Sequence, residues 1–119
     1  MAEILCVDDS SLQNNYLVKV LKSLGHKVKS ASNGAEALSL MEEDYLPDVI
    51  LSDLLMPEMD GFSLVEAITK KGVNIPAIIM STHIHTEMEK RGKELGVISF
   101  LKKPFQFGEL KESLDKALS

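Results

Sequence analysis

The chain has 119 residues, 45% of them hydrophobic and 26% charged, with a formal net charge of −5; that suffices for one core, and a single domain over residues 1–119 is expected. No apolar run nears the roughly 18 residues that cross a bilayer, and Met1-Ala2-Glu3-Ile4-Leu5 leads straight into a strand-like segment, so a soluble, unexported, cytoplasmic protein with no membrane contact is expected. The acidic balance, without a basic block or an interleaved aromatic stripe, argues against direct nucleic-acid binding, and the single cysteine, Cys6, excludes an internal disulfide.

The first apolar run, Ile4–Val7, is too short for a helix core and reads as a strand, with Cys6 as a small buried thiol. Leu17, Val20, Leu21 and Leu24 then share one face of a helix. Val28–Ala31 is the second strand, Ala37, Leu38 and Met41 mark a second helix, and Val49–Ser52 is the third strand. Leu64, Val65 and Ile68 mark a third helix ahead of a fourth strand at Ala77–Met80. From Thr86 to Leu95 only Met88 and Leu95 are large and apolar among many charges, so a weakly anchored helix is expected there. Ile98–Leu101 is the fifth strand, and Phe107, Leu110, Leu114 and Leu118 give a final helix. Gly25, Gly34, Gly72 and Gly96 fall near helix ends, while Pro47 and Pro76 stand just ahead of strands.

Five strand–helix repeats imply parallel strands, because only a crossover can return the chain to the same edge in the same direction, and helices supply crossovers. The expected fold class is α/β: a single doubly wound five-stranded parallel sheet in the flavodoxin-like order 2-1-3-4-5, with five helices. Near-continuously apolar strands agree with burial on both faces. In such sheets ligands bind beyond the carboxyl ends of the strands, at the switch point between the first and third.

Asp8 and Asp9 follow the first strand and Asp53 closes the third, so that topology brings three carboxylates to one crevice. Packed carboxylates repel, and the relief is a raised pKa or a bound cation. All-oxygen ligands point to Mg²⁺, which keeps several waters and joins protein carboxylates to phosphate. Lys103 lies just beyond the fifth strand and Ser81 at the end of the fourth, completing a phosphate-handling set. Asp53 is the expected nucleophile towards phosphorus, Lys103 neutralises phosphoryl oxygens, and the Ser81 hydroxyl donates a hydrogen bond to the transferred group. Taken singly each residue has a plainer reading: Asp8 and Asp9 favour a helix N-terminus, Asp53 sits in a turn, Lys103 is solvated and Ser81 caps a strand. Their joint placement at four strand ends is what those plainer readings leave unexplained.

The segments Ile4-Leu5-Cys6-Val7-Asp8-Asp9-Ser10, Asp53 leading into Met56-Pro57-Glu58-Met59-Asp60-Gly61, and Lys103-Pro104-Phe105 resemble the response-regulator receiver domains of two-component signalling, over essentially the whole chain. The resemblance implies a phosphoacceptor, Asp53, that takes its phosphoryl group from a histidine kinase or phosphotransfer protein. It implies Mg²⁺ held by Asp9 and Asp53, with Asp8 assisting through water and Leu55 contributing its backbone carbonyl. It further makes Ser81 the switch hydroxyl, Phe100 the aromatic that couples phosphate to an outer surface, and Lys103-Pro104 a cis peptide bond. Leu55 and His83 would flank the path of hydrolytic water. Ser81 stands where many relatives have Thr and keeps the hydroxyl; Phe100 replaces a frequent Tyr and lacks the phenol. Downstream, an effector protein or output domain is expected, through the Thr86–Leu95 helix, Phe100 and the final helix, and a phosphorylation-dependent homodimer is compatible with the chain. The end at Ser119, directly after the last helix, fits both a free-standing protein and a domain of a longer regulator.

Such a protein is a switch that catalyses its own phosphorylation and dephosphorylation rather than an enzyme acting on a separate substrate. A pseudo-receiver serving only as a protein-interaction module is the main alternative. A haloacid-dehalogenase-type phosphatase is more remote: its second acidic residue, two places after the nucleophile, would fall at Leu55, which transfers no proton. A flavin module is more remote still, since Asp8-Asp9-Ser10-Ser11 presents carboxylates where a flavin phosphate needs donors. His83 and His85 are a weak metal signal and read as loop residues, His26 likewise, and Met56 and Met59 read as loop packing.

Overall fold

The computed structural model describes residues 2–119. Its elements in chain order are β1 (Glu3–Val7), α1 (Ser11–Ser23), β2 (Lys27–Ala31), α2 (Gly34–Glu42), β3 (Val49–Asp53), α3 (Gly61–Lys70), β4 (Ala77–Ser81), α4 (Thr86–Leu95), β5 (Val97–Lys102) and α5 (Phe107–Leu118). The strands form one parallel sheet in the order β2-β1-β3-β4-β5, as the alternation of elements required. Val7 pairs with Ser52, Asp53 with Met80 and Ser81 with Lys102, so the carboxyl ends of four strands lie level along one edge.

Alternation within each strand divides the core. Ile4 and Cys6 of β1 join Val49 and Leu51 of β3 and Ile78 and Met80 of β4 against Leu17 and Leu21 of α1 and Leu110 and Leu114 of α5. Leu5, Val7 and Ile50 point the other way, onto Ala37 and Met41 of α2 and Leu64 and Ile68 of α3. A third cluster joins Ala77, Ile79 and Val97 to Phe62 and Val65 of α3, with Met88, Leu95 and Phe100 packed at its margin. Cys6 is fully buried, and desolvation followed by the Asp8 charge pushes its thiol up to about 12.

The helices start where side chains satisfy their free N–H groups: Ser10 Oγ accepts from Gln13 N–H, Asn33 Oδ1 from Glu36 N–H and Asp60 Oδ1 from Ser63 N–H. α4 lacks such a side-chain cap at His85 and ends at Gly96, whose φ of +89° a residue with a Cβ adopts only under strain.

One expectation needs correction. β2 is not a buried apolar strand: Lys27, Lys29 and Ser30 are exposed, because β2 is an edge, where charged side chains face water and discourage further pairing. In α5, Phe107 is 53% exposed and Leu118 is exposed too, while Ser113 and Ala117 join Leu110 and Leu114 on the inner face. Phe107 and Leu118 occupy the first and last positions of the helix.

Candidate functional site

The crevice is built around Asp8. Its side chain is 1% exposed, its Oδ1 accepts from Ser10 N–H at 2.9 Å, and its own N–H donates to Ala31 O at 3.1 Å. Asn14, on the inner face of α1, donates through Nδ2 to both Asp8 O (3.3 Å) and Ala31 O (3.0 Å), tying the ends of β1 and β2 to the helix. Asp9, next in the chain, is exposed at the crevice mouth.

Asp53 is the last residue of β3 and is half-buried. Lys103, carried just past β5, bridges the two inner carboxylates: its Nζ lies 3.0 Å from Asp53 Oδ1 and 3.4 Å from Asp8 Oδ2. Its backbone N–H donates to Ser81 O at 2.7 Å, which fixes the β5 end against β4, and the Lys103-Pro104 bond is cis. Burial pushes the Asp53 carboxyl above its ordinary range; Lys103 pulls the other way, and the Asp8 and Asp9 charges add smaller upward pushes. Carboxylate oxygens of Asp8, Asp9 and Asp53 all lie within 4.8 Å of one another, against a single bridging lysine. Around a six-coordinate ion with oxygen ligands at about 2.1 Å, adjacent oxygens stand about 3.0 Å apart and opposed ones about 4.2 Å, so the all-oxygen donor set suits Mg²⁺ once the side chains draw together. Neither His83 nor His85 belongs to that grouping among the described residues.

The model of one protein family, described as the response regulator receiver domain, matches residues 4–115. The chain belongs to that family. Protein PilH of Pseudomonas aeruginosa is 34% identical over 121 residues, covering 100% of this chain and 99% of that protein. The sensor histidine kinase RcsC of Escherichia coli is 35% identical over 111 residues, which cover 93% of this chain but 12% of the kinase. Among solved structures, the Vibrio cholerae chemotaxis protein CheY4 superposes with a TM-score of 0.92 at 33% identity, over 99% of both chains. This is therefore a receiver domain of two-component systems, with a fold shared by free-standing regulators and by segments of larger kinases.

The remaining residues of the receiver domain take distinct places. Ser81 is buried, and its hydroxyl donates to His83 O at 2.9 Å while accepting from His83 N–H at 3.3 Å, so it is turned towards its own loop. Leu55 is 71% exposed on the rim beyond Asp53. Phe100 lies away from the carboxylates, packed edge-on against Phe62 with centroids 6.1 Å apart at 71°. His26 is satisfied structurally, its Nδ1 accepting from Ala2 N–H at 3.1 Å, and Met59 packs over Gly34 at the start of α2.

Sequence reasoning gave no structural role to Asn14 or Gly92, and noted Gly61 only as part of the loop motif after Asp53. Asn14 carried a readable signal: a polar residue three and seven places before Leu17 and Leu21, on the face that packs inward. Gly61 donates to Leu54 O at 2.8 Å, and a Cβ there would stand 2.8 Å from Asp53 O and 3.2 Å from Leu54 Cα, so α3 approaches the Asp53 backbone only because this residue is glycine. Gly92 gives no comparable signal in one dimension, since its neighbour Phe100 belongs to a different element.

Proposed function

We propose that this receiver domain takes a phosphoryl group onto Asp53 from a histidine kinase or phosphotransfer protein, then alters a surface read by an effector protein or output domain. The observation that carries this reading is Lys103 Nζ placed 3.0 Å from Asp53 Oδ1, beside two further carboxylates at the carboxyl edge of the sheet. An Asp53 oxygen attacks phosphorus; the new O–P bond forms as the donor's P–N bond breaks, and the departing imidazole takes up a proton. Lys103 moves its charge from the carboxylates to the phosphoryl oxygens, which otherwise repel the anionic nucleophile. Mg²⁺, held by Asp9 and Asp53 with Asp8 through water and the Leu55 carbonyl, would neutralise the charge that gathers on those oxygens.

The Ser81 hydroxyl then exchanges His83 O for a phosphoryl oxygen, and the loop between β4 and α4 follows. Phe100, α4 and α5 carry the change outward. Leu55 and His83 border the approach of hydrolytic water and set how long the acyl phosphate lasts. The protein acts as a switch that promotes its own phosphorylation and dephosphorylation. Similarity to both sensor kinases and small regulators supports a kinase on one side and an effector on the other. Among the described residues no helix is long and apolar enough to cross a membrane.

Incubation with acetyl phosphate and Mg²⁺, followed by intact mass, tests the acceptor. Wild type is expected to gain one labile phosphoryl group that EDTA prevents and Asp53→Asn abolishes. Label persisting in Asp53→Asn refutes the choice of nucleophile, and a wild type that stays unlabelled with both acetyl phosphate and a phosphorylated histidine kinase favours a pseudo-receiver.

A further inference from the structure

We infer that Gly92 is a positioning residue: its missing side chain is the seat of the Phe100 ring, and filling that seat releases α4 while the acceptor crevice is unmodified. α4 is held shallowly. Its large apolar residues, Met88 and Leu95, are only partly buried, and Gly92 is its one buried position. Beneath it lies Phe100: a Cβ at residue 92 would stand 2.7 Å from Phe100 Cε2, closer still to Cζ, and 3.4 Å from Val97 Cβ. The ring also packs against Phe62 of α3, with centroids 6.1 Å apart at 71°, and the guanidinium of Arg91, Gly92's neighbour, covers Phe62 at 5.2 Å. The ring thus meets both α4 and α3, and a methyl group at residue 92 leaves two outcomes. Either the ring swings out of its slot or the helix lifts from β5, and each breaks the same contact.

The seat is connected to the crevice. Phe100 pairs with Ile79 across β4 and β5, two residues before Ser81, whose hydroxyl pins the loop that leads into α4. The helix has no side-chain cap at His85, so this loop restrains its first turn and the Gly92 seat restrains its middle. Release of either restraint favours the same displaced helix. A state preferred by the displaced helix and by phosphorylated Asp53 is populated by either one, so filling the seat lowers the phosphodonor concentration needed. This link rests on the acceptor reading above; the seat itself does not.

Amide hydrogen exchange on unphosphorylated Gly92→Ala, Phe100→Leu and the double variant tests the seat, with β1 and β3 amides as the control for intact folding. Helix propensity alone predicts that Gly92→Ala slows α4 exchange, by roughly fivefold. The seat predicts the opposite sign: α4 amides exchange at least about tenfold faster, and the smaller leucine side chain in place of the Phe100 ring restores protection in the double variant. Slower or unchanged α4 exchange in Gly92→Ala overturns the seat, as does a double variant no better protected than Gly92→Ala. If Gly92→Ala does not fold, a folded double variant supports the seat and an unfolded one overturns it. With acetyl phosphate and Mg²⁺, Gly92→Ala is expected to reach half-labelling at a several-fold lower phosphodonor concentration. An unchanged midpoint overturns the link to the crevice, and a wild type that takes no label refutes the acceptor reading while leaving the exchange result to decide the seat.

Discussion

Lys103 Nζ lies between Asp53 Oδ1 and Asp8 Oδ2, so one cation balances two carboxylates while Asp9 adds a third at the mouth. Burial raises the Asp53 carboxyl, Lys103 opposes it, and the Asp8 and Asp9 charges add smaller upward pushes; a divalent cation relieves that crowding by binding the ionised carboxylates. A different kind of isolation occurs at the far end of β3. The Tyr45 hydroxyl is buried, has no hydrogen-bond partner among the described residues, and is pushed up to about 12, first by burial and then by the charges of Glu3, Cys6 and Asp48. Between pH 10 and about 12 the unfolded chain has released this proton while the folded chain retains it. Stability therefore falls as pH rises through that window. Tyr45→Phe keeps the ring beneath Lys29 Nζ, 4.5 Å from its centroid, and removes the isolated hydroxyl. It is expected to match wild type or gain up to about 1 kcal/mol at pH 7, with a shallower alkaline loss in urea titrations. A steeper alkaline loss would contradict the burial of the hydroxyl.

The start of α3 is set by backbone approach rather than by side-chain packing. In Gly61→Ala the new Cβ meets Asp53 O and Leu54 Cα, neither of which can rotate away. A loss of about 2 kcal/mol in thermal melts is expected, together with slower labelling of Asp53 by acetyl phosphate. A variant as stable and as quickly labelled as wild type would show that the loop has slack. α5 offers a contrast within one helix. Phe107→Ser should change stability by less than about 0.5 kcal/mol, because the ring is half in water, whereas Leu114→Ala should cost about 2–5 kcal/mol in chemical denaturation. Both leucines of the inner face were legible from their spacing. Phe107 and Leu118 correctly marked the extent of the helix, but periodicity gives only a direction around it and leaves open how deeply its end positions are buried. Ser113 and Ala117 were missed because small residues carry little hydrophobic signal. β2 was misjudged for a related reason: a short strand's exposure depends on whether another strand lies beyond it.

Charge repulsion at one end of a compact sheet links cation binding to the stability of the whole fold. If Mg²⁺ binds only the folded crevice, a concentration ten times its dissociation constant adds about 1.4 kcal/mol, visible as a raised melting temperature. EDTA should reverse the rise and Asp9→Asn should largely abolish it; an equal rise in Asp9→Asn would place the ion elsewhere. The strand order, the two helical layers and the convergence of Asp8, Asp9, Asp53, Ser81 and Lys103 on one edge were already determined by the sequence, because alternating hydrophobic periods and right-handed crossovers leave few topologies. Tertiary packing alone decided which carboxylate is buried, that Lys103 reaches Asp8 across 95 residues of chain, that the Ser81 hydroxyl faces His83, and that Phe100 rests under Gly92. Periodicity reports which way a residue faces within its own element; the distance between side chains on different elements depends on how those elements settle against a shared core.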